Sequence, residues 1–124
     1  MKKSERTDKV CIEKILGYIG DIKECFEHYG INSHEELEDK KLAQYATTQI
    51  LTNIYGLKKK VTESTLSNLP EFDKIRLATA RNIASHDYDE INFKIVYDIC
   101  KKKLLSETVM NELKGAMIDA DNLE

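Results

Sequence analysis

The run Arg81-Asn82-Ile83-Ala84-Ser85-His86-Asp87-Tyr88 places a guanidinium, an imidazole and a phenol within about two turns of a helix that repeats every ~3.6 residues. Arginine is a fixed cation whose planar fork of donors suits phosphate. Histidine is the side chain whose proton changes hands near neutral pH. Together they suggest phosphodiester chemistry without a metal. The same spacing also fits an arginine in a surface ion pair and a histidine satisfied at a core boundary, so spacing alone leaves both readings open.

On an ideal helix each residue advances about 100°, which puts Tyr88 within ~20° of Arg81, His86 about 40° from Asn82, and Arg81 about 140° from His86. One straight helix therefore does not aim Arg81 and His86 at the same small target. A two-fold homodimer would supply a second copy of each group across one cleft, because a symmetric interface apposes the same patch from both subunits.

The stretch RNIASHDY, with Pro70 upstream and Ile91 and Val96 downstream, resembles the signature of the HepT-like toxins of the HEPN superfamily: Arg, four residues, His, one residue, Tyr. The resemblance is good over roughly residues 65 to 105 and looser elsewhere. It implies an all-α HEPN-like bundle, a ribonuclease site assembled between protomers, and one half of a toxin–antitoxin pair. It assigns His86 as general base or acid in attack of a ribose 2′-hydroxyl on the adjacent phosphate, leaving a cyclic phosphate and a 5′-hydroxyl. Arg81 would stabilise the charge gathering on the phosphoryl oxygens, and Asn82 would orient phosphate or His86.

For Tyr88 the resemblance implies transfer of AMP onto the phenol by an MntA-like nucleotidyltransferase antitoxin. The added negative charge beside Arg81 would switch the toxin off. A phenol that merely packs and hydrogen-bonds at the dimer boundary is the other reading. HepT-like proteins commonly carry a Gly-Glu-Ala step, whereas Ile54-Tyr55-Gly56-Leu57-Lys58 keeps the glycine and lacks the acid. That departure leaves room for a non-catalytic HEPN subunit that binds a nucleotide, or presents substrate, for a separate nucleotidyltransferase. A bundle used only for assembly is a third reading.

The remaining chain must position these groups. At 124 residues it is one domain, residues 1 to 124, with room for a single core. With 41% hydrophobic and 33% charged residues, one Pro and no Trp, the composition describes a soluble helical protein. No apolar run approaches the ~20 residues needed to cross a bilayer, and the N-terminus has no signal-peptide core, so the cytoplasm is expected and no membrane partner. Net charge is −3, which excludes a generally basic nucleic-acid binder. If RNA is the substrate, it must meet a local positive cleft. Candidates are Lys74, Arg76 and Arg81, flanked by Lys58-Lys59-Lys60 and Lys101-Lys102-Lys103, although each lysine run also reads as a solvated helix face.

Cys11, Cys25 and Cys100 lack metal-ligand spacing and read as small buried hydrophobes. His28 and His34 have no cysteine or carboxylate at ligand spacing, so no metal site and no cofactor is expected.

Cys11, Ile15, Ile19, Ile22 and Phe26 form the inward stripe of a first helix from about Thr7 to Tyr29, capped by Thr7 or Ser4 and ended by Gly30, with its acids and lysines given to water. Ser33 and Glu36 form a capping box that starts a second helical stretch. Acids 35, 36, 38 and 39 suit its N-terminus. Leu42, Ala46, Ile50, Ile54, Leu57 and Val61 then repeat as the stripe of a long core helix. Thr62 to Pro70 reads as a polar connection, and Pro70 opens a helix with Phe72, Ile75, Thr79 and Ile83 inward, whose C-terminal half is the signature. Phe93, Val96, Cys100 and Leu104 mark the next helix. A short last helix from about Ser106 turns Met110, Leu113 and Met117 inward, and the tail from Ile118 reads as frayed. The count is five helices, which fits an up-and-down bundle.

Overall fold

The computed structural model describes the backbone over residues 3–78 and 91–122 and the side chains over residues 6–78 and 91–118. The described residues are helical throughout their ordered elements, with no strand among them. They form an all-α bundle: α1 (Lys3–Tyr29), α2 (His34–Glu38), α3 (Lys41–Lys58), α4 (Glu63–Leu66), α5 (Pro70–Asp73), α6 (Phe93–Tyr97) continuing as a π-helical segment (Asp98–Leu104), and α7 (Glu107–Asn122). No helix among the described residues is long and apolar enough to cross a membrane.

The first helix is the spine, packing most extensively on α3 and next on α7. Cys11, Ile15, Ile19, Ile22 and Phe26 are all buried, so its apolar stripe faces the core as the periodicity requires. It begins at Lys3, which puts Ser4 and Thr7 inside the helix rather than at its cap. It ends as expected. Gly30 has φ +65°, the Ile31 N–H donates to the Phe26 carbonyl at 2.9 Å, and the Gly30 N–H donates to the Glu27 carbonyl at 3.3 Å. This is a Schellman motif, and its hydrophobic partners Phe26 and Ile31 both belong to the core.

The Ser33 hydroxyl accepts from the Glu36 N–H at 3.2 Å and starts α2. The carboxylate of Glu35 is held below its usual range, chiefly by a hydrogen bond from its own backbone N–H and then by His34. A break at Asp39 and Lys40 separates α2 from α3, and the Gln44 amide bridges it by donating to the carbonyls of Leu37 (2.9 Å) and Glu38 (2.8 Å).

The first half of the α3 stripe is rotated from its sequence expectation by one residue, or about 100°, while Ile54 and Val61 are buried and Leu57 packs on the core as expected. Ala43, Thr47, Leu51 and Ile54 face inward, while Leu42 is 65% exposed and Ala46 and Ile50 are only half-buried. Two buried threonines make this possible. Thr47 Oγ1 donates to the Ala43 carbonyl at 2.8 Å and Thr48 Oγ1 to the Gln44 carbonyl at 2.9 Å, so neither hydroxyl carries an unmet hydrogen bond into the core.

The polar connection after α3 contains the one-turn helix α4, and an acid of α1 holds it. Asp8 is only 4% exposed. One carboxylate oxygen accepts from the Thr62 N–H at 3.0 Å, and the other from the hydroxyls of Thr62 and Thr65, each at 2.6 Å. Asp8 therefore departs from the expectation that the charged residues of α1 belong to water.

The helix opened by Pro70 is shorter than its spacing suggested. It closes at Asp73, the chain turns through residues 74–76, and helical backbone resumes at 77–78. Phe72, Ile75 and Leu77 are all buried. On a continuous helix Ile75 and Leu77 would lie about 200° apart, and the turn is what brings both to the core.

The stretch from Phe93 follows its expected stripe, with Phe93, Val96, Cys100 and Leu104 buried. It widens after Tyr97 into a π-helical segment, in which the Leu105 N–H donates to the Cys100 carbonyl at 3.1 Å, five residues back. In α7 the buried residues are Val109 and Leu113, with Met110 and Met117 packed at the margin. The helical backbone continues to Asn122, four residues past Ile118.

Candidate functional site

Arg81, Asn82, His86 and Tyr88 lie outside the described residues, as do Thr79 and Ile83. The structure does describe the two elements between which they are strung.

On the approach, Leu69, Phe72, Ile75 and Leu77 are buried. The α5 helix has no side-chain cap of its own, since Leu69 stands at its N-cap. Glu112 of α7 supplies one from forty residues away: its carboxylate accepts from the Glu71 N–H at 3.0 Å and the Phe72 N–H at 2.9 Å. Lys58 holds the other side of α5, donating to the Asp73 carbonyl at 2.6 Å and pairing with the Asp73 carboxylate at 3.4 Å, with its Nζ 5.8 Å from the centre of the Phe72 ring. On the exit, the Asn92 side chain caps α6 by accepting from the N–H groups of Lys94 (3.1 Å) and Ile95 (3.4 Å). The Tyr97 hydroxyl donates to the Asn32 carbonyl at 2.8 Å and fixes α6 to the α1–α2 turn.

The cations expected to form a positive cleft divide among several places. Lys74, Lys102 and Lys103 line one cleft of about 120 Å³ between α5, the π segment and α7, so the second lysine run does flank Lys74. Lys74 also pairs with Glu71 at 2.7 Å and Lys102 with Asp98 at 3.4 Å. Arg76 is exposed in the turn just ahead of the signature. The first lysine run does not behave as one surface. Lys58 turns to Asp73, Lys59 lies over the Tyr55 ring at 5.4 Å, and Lys60 lines a separate groove with Arg6 and Lys14.

At the step where the family commonly places an acid, Gly56 is exposed and Leu57 packs against the core. The three cysteines are free. Cys11 and Cys100 are buried and Cys25 is partly so, and burial raises the thiols of Cys25 and Cys100 above their ordinary range. Among the described residues no three His, Cys, Asp or Glu side chains are grouped to hold a metal ion.

Sequence reasoning missed Asp8 and Glu112. The signal for Glu112 was available: a helix that starts at Pro70 behind a leucine has no local acceptor for its first N–H groups, so a distant one must be found or the groups must face water.

A comparison with curated proteins and one with solved structures returned no match. The family model for HepT-like ribonucleases matches residues 15–115, from the middle of α1 through most of α7 and across the whole Arg81–Tyr88 signature, and on that span the chain belongs to the HepT-like ribonuclease family.

Proposed function

We propose that this chain is the toxin of a toxin–antitoxin pair, a metal-independent RNA endonuclease that works as a homodimer. Arg81 and His86 from paired subunits face one scissile phosphate. His86 moves the proton of the attacking 2′-hydroxyl, Arg81 stabilises the phosphoryl charge, and Asn82 orients the phosphate or the imidazole. An MntA-like nucleotidyltransferase transfers AMP from ATP to the Tyr88 oxygen, which loses its proton as pyrophosphate leaves, setting a phosphate beside Arg81 and closing the site to RNA. Membership of a ribonuclease family, together with retention of Arg81, His86 and Tyr88 at the family's spacing, carries this reading. The cleft of Lys74, Lys102 and Lys103 supports it by offering phosphate-binding cations next to the approach to Arg81.

One observation favours a second reading. Leu57 stands where a carboxylate is common in the family, which suits a non-catalytic subunit serving a nucleotidyltransferase.

Induced expression of the chain alone separates the two. The nuclease reading expects growth arrest and RNA cleavage in the presence of a chelator, both lost in His86→Ala with the fold retained. Equal arrest by His86→Ala refutes it. Intact-mass measurement after co-expression with a nucleotidyltransferase antitoxin is expected to show adenylate additions that vanish in Tyr88→Phe.

A further inference from the structure

A second cleft, of about 530 Å³, opens between the C-terminal half of α1, the turn after it, the π segment and α7. Its size falls within the range of built ligand sites. Leu105 and Met110, both half-buried, floor it above the buried Ile31, and Lys23, Lys101 and Lys114 stand around it, each on a different element. All three lysines are exposed. The ion pairs among the described residues engage Lys58, Lys74 and Lys102 instead, and Glu27 is the one acid in the lining. Among the described residues these three lysines make no ion pair, and against the single Glu27 carboxylate of the lining they leave a local excess of positive charge in a chain with more acids than bases.

We infer that this cleft docks an acidic amphipathic segment of a partner protein, its apolar side chains on the floor and its carboxylates on the three lysines. Charge complementarity selects an anion. The floor selects a protein segment over a nucleic acid. Single-stranded nucleic acid relies on bases stacking against open aromatic faces, and the aromatic ring of this lining, Phe26, is buried and already stacked on Tyr97 at 5.7 Å and 11°. The accessible apolar groups are aliphatic, with Met110 a flexible thioether of the kind that adapts to varied partner side chains. The π segment also contributes: it sends Lys101 to this cleft while Lys102 and Lys103 line the smaller one beside α5. None of these residues belongs to the Arg81–Tyr88 stretch, so the inference stands apart from the nuclease reading.

The test is fluorescence anisotropy on the full chain. The probe is a labelled helical peptide of glutamate and leucine, with leucine at i, i+3, i+4 and i+7, and the comparisons are a scrambled peptide of the same composition and a labelled oligouridine. The patterned peptide is expected to bind with Kd on the order of 10 μM, given the small area available. The combined variant Lys23→Glu, Lys101→Glu, Lys114→Glu should weaken it about tenfold or more, as loss of complementarity around a partly dry patch does. Met110→Glu should weaken it as well, and Lys60→Glu, in another groove, should leave it unchanged. Equal binding of the scrambled peptide, displacement of the peptide by oligouridine, insensitivity to the combined variant, or no binding at ~1 mM peptide would each overturn the inference.

Discussion

Replacing Asp8 by alanine strikes the contact that fastens the start of α1 to the chain ahead of α5. In the native protein the carboxylate takes three hydrogen bonds, from the Thr62 N–H and from the hydroxyls of Thr62 and Thr65. A hydrogen bond to a charged group is worth about 1.5–3 kcal/mol, and a buried donor left without a partner costs about 1–3 kcal/mol. The full sum overstates the loss. The two hydroxyls can turn to each other or to Ser64, since Thr62 Oγ1 already lies 3.3 Å from both Thr65 Oγ1 and Ser64 Oγ. The alanine protein also no longer carries the desolvation of a nearly buried carboxylate. The Thr62 N–H has no such substitute. A net loss of about 3 kcal/mol follows, which for a chain of this size lowers Tm by about 10 °C. Far-UV circular dichroism on heating and urea titration measure it directly. Asp8→Asn, which keeps one acceptor oxygen, should recover about half of the loss. A fall in Tm of less than about 3 °C for Asp8→Ala, or an asparagine variant no better than alanine, would refute the claim that these three bonds anchor the segment.

Glu112→Ala should cost about 1–2 kcal/mol by uncapping α5, visible as a lower urea midpoint at unchanged m, with Glu112→Gln losing less because one amide oxygen still accepts. Gly30→Ala meets no neighbour within 4 Å, so its cost is the backbone's alone, about 1 kcal/mol for an L-residue at φ +65°, read from the shift in Tm. For Cys100, burial keeps the thiol neutral when folded, while the unfolded thiol ionises near pH 8.5. Its contribution is therefore complete below that pH and declines as pH rises above it, by at most about 1.4 kcal/mol per pH unit. Urea midpoints should fall between roughly pH 8 and pH 10, less steeply in Cys100→Ala, after allowance for the smaller rise at Cys25. Under native conditions at pH 7 alkylation should modify Cys25 slowly and spare Cys11 and Cys100, and the same reagent in denaturant should reach all three.

Periodicity told most where the buried face was purely apolar. The α1 stripe and its glycine stop, and the run from Phe93 to Leu104, are readable from residue type because nothing else competes for the inward positions. It misled in α3. Leucine, alanine and isoleucine at 42, 46 and 50 repeat as cleanly as the true stripe one residue on, and threonines at 47 and 48 look polar until their hydroxyls find a carbonyl four residues back. Asp8 and Glu112 were missed for a different reason. Each serves groups forty or more residues away, and although the uncapped start at Pro70 signals that an acceptor is needed, no local pattern says which residue supplies it. The signature residues themselves were legible only through family resemblance, because an arginine and a histidine five apart carry little meaning without it. The split of the lysine run between two clefts follows from the turn of the helix itself, since neighbouring residues point about 100° apart and three lysines in a row cannot share one face.

The tie between Glu112 and α5 also bears on the order in which the protein takes shape. A helix of four residues does not persist by itself, and the carboxylate that closes its first turn is made forty residues later. Until α7 is in place, the first turn of the helix leading to Arg81 lacks its cap. The approach to the signature therefore takes its final form only once α7 has docked, so a lesion in the last helix reaches the stretch that leads to Arg81.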